Sequence, residues 1–170
     1  MESYVALLRA VNVGGTGKMP MADLKAICQE LGFERVQTYL ASGNVVFRSG
    51  RSEGEIKTIL NARLQAYAGK PVNTLIRSAI EIGDVLRRNP FAGEAGNRTV
   101  ALFVDEPLAP NVLENVIGRK DERMILGVRE IFIFYGEGMA DSRLRIPGAE
   151  SGTARNMNTV AALAKMASAP

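Results

Sequence analysis

The order in which the apolar period changes over residues 1–78 constrains the fold more than any single motif. Residues 4–11 carry few polar breaks and read as a buried strand. Over residues 21–31, Leu24, Ile27, Cys28 and Leu31 recur at helical spacing, and Gly32 follows where a C-terminal glycine stops a helix. Two β-rich runs, 35–40 and 44–48, flank Ala41-Ser42-Gly43, which is a hairpin signal. The spacing then predicts a helix over 52–68, with Ser52 as cap, Glu55 completing a capping box, and Ile56, Ile59, Leu60, Leu64 and Tyr67 on its apolar face. Gly69-Lys70-Pro71 ends it, and 72–76 is a further strand. Strand, helix, strand, strand, helix, strand is the order of a ferredoxin-like unit, an antiparallel sheet with two helices on one face.

A helix over 78–88 and the polar break 89–96 lead into a second pass. It reads as a strand at 98–105, a short helix at 109–118, a strand pair at 122–127 and 130–135, and a last helix over 153–167. Val5-Ala6-Leu7-Leu8 is echoed by Val100-Ala101-Leu102-Phe103, and Glu34-Arg35 by Glu122-Arg123. These matches are short, so the repeated order of elements carries more of the case for an internal duplication. The expected fold is α+β: two ferredoxin-like (βαββαβ-type) repeats, each an antiparallel sheet with helices packed on one face, interlocked with each other. Residues 1–78 form the first repeat, and 79–170 a connecting helix and the second, in one compact unit with the first. No fourth strand is evident in the second copy, so the strand at 72–76 is a candidate to be shared.

Composition narrows the function classes. At 46% hydrophobic and 23% charged, 170 residues suffice for a real core. One cysteine, Cys28, allows no internal disulfide and no zinc cluster, and it reads as a core thiol. The chain has no histidine, so the commonest general base and metal ligand is missing, and no Ser or Cys sits in a Gly-x-Ser-x-Gly elbow. A conventional hydrolase is disfavoured, no catalytic residue can be named, and neither a metal nor a cofactor is expected. Glu53 with Glu55, and Asp121 with Glu122, lie in polar stretches and read as solvated surface. No apolar run is long enough to span a membrane and no secretory signal is visible, so a reducing cytoplasm is the expected home. The net charge of +3 is spread over scattered Lys and Arg, which gives only weak attraction to polyanions.

Two stretches have the makings of a site. In LLRAVNVGGTGKMPM, Gly14, Gly15 and Gly17 free the backbone to turn N–H groups toward an anion, while Arg9 and Lys18 flank them with positive charge. The loop is neither a Walker motif, because Asn12 and Met19 replace the required Gly and Ser/Thr, nor a dinucleotide fingerprint, because Pro20 stands at the third glycine. A plain connecting turn, with Pro20 as a helix-start proline, is the competing reading. In ESGTARNMNT, Arg155 is expected in the first turn of the last helix, where a cation opposes the helix dipole. It would either hold an anion together with Thr153 and Asn156, or pair with Glu150 or solvent. Ser42 and Asn44 in the hairpin offer a hydroxyl and an amide, and are also ordinary turn formers.

The blocks VALLRAVNVGG, Lys18-Met19, Leu31-Gly32-Phe33, Thr38-Tyr39, Ser42-Gly43-Asn44-Val45, Asn89-Pro90-Phe91 and Thr153-Ala154-Arg155-Asn156 together resemble the bacterial domain-of-unknown-function family 1697 (DUF1697). The resemblance covers nearly the whole chain and implies a small cytoplasmic α+β protein of two interlocked ferredoxin-like repeats, with no established activity. Ala10 stands where the family usually has glycine, and Met157 where an aromatic is common. The leading expectation is a protein that binds a small phosphate- or carboxylate-bearing ligand between the first glycine loop and the start of the last helix. Arg9, Lys18 and Arg155 would supply charge; Asn12, Gly14, Gly15, Ser42, Asn44, Thr153 and Asn156 would supply hydrogen bonds. The alternatives are single-stranded nucleic-acid binding on a sheet face and a structural or assembly module pairing through a sheet edge, as a monomer or weak homodimer.

Overall fold

In the computed structural model, which describes residues 1–11 and 18–170, these residues form eight strands, four α-helices and two 3₁₀ turns. β1 (Glu2–Leu8), α1 (Met21–Glu30), β2 (Glu34–Thr38), β3 (Asn44–Ser49), α2 (Glu53–Ala68) and β4 (Thr74–Ser78) follow the order read from the periodicity. Their sheet has the antiparallel order β2-β3-β1-β4, with β1 central between β3 and β4. The predicted caps are realised. Ser52 Oγ accepts the Glu55 amide and the Glu55 carboxylate accepts the Ser52 amide, while Gly69 ends α2 in the left-handed conformation. Tyr4, Ala6 and Leu8 of β1 point to the face covered by α1 and α2, where they join Leu24, Cys28, Ile56, Leu60, Leu64 and the stacked pair Phe33–Phe47, whose centroids lie 4.3 Å apart.

α3 (Ala79–Arg87) leads to β5 (Thr99–Phe103), β6 (Arg123–Leu126), β7 (Glu130–Phe134), β8 (Thr153–Asn156) and α4 (Met157–Ser168). The second sheet runs β6-β7-β5-β8, the same order as the first. Three expectations are corrected here. The 109–118 segment is not an α-helix but a single 3₁₀ turn, Val112–Asn115. Residues Thr153–Asn156 are not the first turn of the last helix; they pair with β5 as a strand, and α4 begins only at Met157. The second sheet therefore has a fourth strand of its own, and the strand at 72–76, observed as β4, pairs with β1 and is not shared. Four residues with a polar-apolar alternation of TARN type are too short to register as a strand when a strongly helical run follows directly.

The chain divides into two compact units, Met1–Gly83 with Leu163–Pro170, and Asp84–Ala162, so α3 and α4 each begin in one and end in the other. In the second unit the face carrying Val100, Ile131 and Ile133 is covered by the 3₁₀ turn and the irregular 135–152 segment, through Val112, Leu144, Ile146 and Ala149, where the first unit uses helices. This places the sequence echo out of step by one residue. Val5 lies on the sheet face away from α1 and α2, whereas Val100 lies on the covered face. The register that aligns the faces sets Val5 beside Ala101. It also sets Arg77, opposite Val5 on β4, beside Arg155, opposite Ala101 on β8.

Candidate functional site

The strand register brings a pocket together in the first unit. The β1–β4 ladder pairs Leu8 with Thr74 and continues one step further, the Arg9 amide donating to the Asn73 carbonyl at 3.0 Å. Because the strands are antiparallel, the exit of β1 lies beside the lead into β4. Residues 9–11, 18–19, 67–68 and 70–73 line the resulting pocket of about 730 Å³. This volume falls within the usual range for small-molecule sites. Its floor is apolar, with Val11, Met19 and Val72 all buried, and its cations are Arg9, Lys18 and Lys70, all exposed. None of the described lining residues is acidic.

The pocket walls are held from outside. The Tyr67 hydroxyl donates to Asp23 Oδ2 at 2.5 Å, which fixes the ring across the gap between α1 and α2 and raises the phenol pKa through that carboxylate. Lys57 donates to Asn73 Oδ1 at 3.0 Å and to the Thr74 carbonyl, tying α2 to the start of β4. Ala10 has a left-handed backbone, φ 57°, at a position where the resemblance points to glycine. On the other side of β1, the Leu8 amide donates to the Gly43 carbonyl at 2.8 Å, and Gly43 adopts φ +91° with its Cα packed against Leu8 and Val11.

Of the predicted site residues, Arg9 and Lys18 line this pocket together, and Asn12, Gly14 and Gly15 lie outside the described residues. Ser42 and Asn44 serve the β2–β3 turn: the fully buried Asn44 amide donates to the Tyr39 carbonyl at 2.6 Å and to Ser42 Oγ at 3.0 Å. Thr153, Arg155 and Asn156 belong to the second unit. The Arg155 guanidinium donates to Thr153 Oγ1 at 2.8 Å and to the Ala154 carbonyl at 3.0 Å, and Asn156 Oδ1 accepts the Thr159 amide as the cap of α4. Burial lowers the Arg155 pKa to about 10, so it remains a cation at neutral pH. Arg77 occupies the matching place in the first repeat. It is buried, donates to the Ile76 carbonyl at 3.0 Å, and precedes Ser78, whose hydroxyl accepts the Glu81 amide to cap α3. A buried arginine, a cap and a helix thus close both sheets, which gives Arg155 a structural setting that the helix-dipole argument lacked.

Lys70, Tyr67 and Asn73 escaped sequence reasoning, in which Gly69-Lys70-Pro71 served only to end a helix. The ferredoxin-like order contained the missing signal, because a central first strand antiparallel to the fourth must set residues just after β1 beside those just before β4. The second unit has a smaller pocket, about 300 Å³, between its covered sheet face and the 144–152 segment, lined by Leu102, Ile133, Tyr135, Ile146 and Glu150 among others. Among the described residues no helix is long and apolar enough to cross a membrane, and no group of three His, Cys, Asp or Glu side chains could hold a metal ion.

Comparison with solved structures finds the conserved bacterial protein SP0830 from Streptococcus pneumoniae similar over 98% of both chains, at 26% identity and a TM-score of 0.80. No curated protein matches the sequence. Residues 1–132, most of the chain, match the family described as "Protein of unknown function (DUF1697)", and the chain belongs to that family.

Proposed function

We propose that the protein binds a small anionic ligand, bearing phosphate or carboxylate, in the pocket between the exit of β1 and the lead into β4. The observation that carries this reading is the convergence of Arg9, Lys18 and Lys70 on one pocket with no acidic residue among the described lining. Like charges gathered around a concave, partly apolar surface raise the local potential and favour a counter-charge there. Asn12, Gly14 and Gly15 follow the floor residue Val11 and precede Lys18 in sequence, and they are proposed to add hydrogen-bond donors. Ser42, Asn44, Thr153, Arg155 and Asn156 make hydrogen bonds within the protein, and the proposal does not use them. Central strands buried on both faces, as at Tyr4–Leu8, weigh against nucleic-acid stacking on a sheet face.

The test is a thermal-shift titration with inorganic phosphate, pyrophosphate and citrate at low salt, on the native protein and on Arg9→Ala, Lys18→Ala and Lys70→Ala. An anion present at 100 times its Kd should stabilise the native form by about 2.7 kcal/mol. Each variant removes a cation of the pocket and should lose most of the anion-induced shift, measured from its own unliganded melting temperature. A native protein that none of the three anions stabilises at millimolar concentration, or a shift that survives in the triple variant, refutes the proposal.

A further inference from the structure

We infer that the ligand of this pocket is amphiphilic: a phosphate ester of an aromatic or otherwise apolar body, with its phosphate at the rim and its body on the floor. The inference rests on the anion-binding reading above and adds the class of anion. Two features of the same pocket carry it, and they point to different parts of one molecule.

The first is the separation of charge from apolar surface. Val11, Met19 and Val72 are only 6%, 4% and 7% exposed and belong to the first unit's core, so the pocket floor is an outcrop of that core. Arg9, Lys18 and Lys70 are exposed at its edge. A bare inorganic ion would be held by the rim and leave the floor to water. An apolar body would displace that water, and for apolar surface this is favourable. Tyr67 adds an aromatic residue to the lining, and its hydroxyl bond to Asp23 holds it in place.

The second feature is the number and origin of the cations. Arg9 follows β1, Lys70 precedes β4 and Lys18 precedes α1, so they reach the pocket from separate parts of the chain. A carboxylate is planar, carries one charge and presents only two oxygens, both in one plane. A phosphate monoester is close to a dianion at neutral pH and presents three oxygens in different directions, so it can meet cations converging from more than one side.

Calorimetric titration of the full chain at low salt separates the possibilities, with inorganic phosphate, glycerol 3-phosphate, phenyl phosphate and benzoate as probes. Phenyl phosphate is expected to bind at least tenfold more tightly than inorganic phosphate, glycerol 3-phosphate or benzoate. Lys18→Ala combined with Lys70→Ala should weaken all three phosphates by a similar factor. Val72→Thr keeps the side-chain shape but makes the floor polar. It should reduce the preference for phenyl phosphate over inorganic phosphate to less than threefold. If Val72→Thr fails to fold, the probe series on the native protein still decides the question. Equal affinity for inorganic phosphate and phenyl phosphate overturns the amphiphilic ligand while leaving the anion site standing. Benzoate binding as tightly as phenyl phosphate overturns the choice of phosphate. Binding of no probe overturns both this inference and the anion-binding proposal.

Discussion

Gly43 joins the turn chemistry of the first hairpin to the floor of the pocket, and its replacement by alanine tests both. At φ +91° an L side chain is strained, which costs about 1–2 kcal/mol. A Cβ there would also lie 2.6 Å from Val11 Cγ2 and 2.8 Å from Leu8 Cβ, distances that real Cβ atoms do not adopt. Leu8 is fixed in the β1 ladder and by its own bond to the Gly43 carbonyl, so Val11 must move, and overpacking of this kind costs about 1–3 kcal/mol more. The expected loss for Gly43→Ala is therefore about 2–5 kcal/mol. Gly32→Ala is the internal control, because Gly32 has φ +85° but nothing within 4 Å of a built Cβ, and it should cost about 1–2 kcal/mol from strain alone. Urea unfolding of the two variants and the native protein, compared at equal slope, isolates the contact energy. Displacement of Val11 should also weaken binding of phenyl phosphate, whose apolar body rests on that floor, in Gly43→Ala and not in Gly32→Ala. If the two substitutions cost the same, the close approach of the hairpin turn to β1 is refuted.

Ala10→Gly should stabilise the protein by about 0.5–1 kcal/mol in the same assay, since relief of the left-handed strain at φ 57° exceeds the added unfolded-state entropy. Arg88→Ala should cost about 1–3 kcal/mol by thermal or urea unfolding, because Glu130 is 2% exposed and would lose its ion partner at 2.7 Å while keeping its bonds to the Val128 and Arg129 amides. Cys28, whose thiol burial pushes its pKa up to about 12, should resist iodoacetamide at pH 8 in the native protein and react fully in urea. Its folded form keeps a proton that the unfolded chain releases above pH 9, so this group's contribution to stability falls as pH rises from 9 toward 12. The Ser142 hydroxyl donates to Glu122 at 2.6 Å and, with the Lys120 amide, holds that carboxyl below its usual range. The resulting stability is present above the ordinary carboxylate value of 4.5 and is lost as pH falls through the lowered one, so Ser142→Ala should raise the pH of the acid-unfolding midpoint.

Local signals carried most of the first repeat. The capping box at Ser52 and Glu55, the stop at Gly32, and the apolar stripes of α1 and α2 depend on neighbours within a few residues, and each appears where the period placed it. The second repeat was harder because its covering segments are irregular: a 3₁₀ turn at Val112–Asn115 and the 135–152 stretch pack apolar side chains with no fixed period to read. β8 was hidden by α4, since Thr153–Asn156 is extended only because β5 offers it a ladder to join.

The candidate site divides in the same way. That Arg9 and Lys18 flank a glycine-rich, non-Walker loop, and that strands and helices follow a ferredoxin-like order, is legible in the residues alone. That Lys70 and Tyr67 share the pocket with them, that Ser42 and Asn44 bond to each other in a turn, and that Arg155 is a buried strand residue matched by Arg77 emerges only once the strands pair. The difference is one of range: periodicity and capping are set by contacts within a few residues, whereas a pocket is set by strand register, which brings Arg9 beside Asn73 across the whole first repeat.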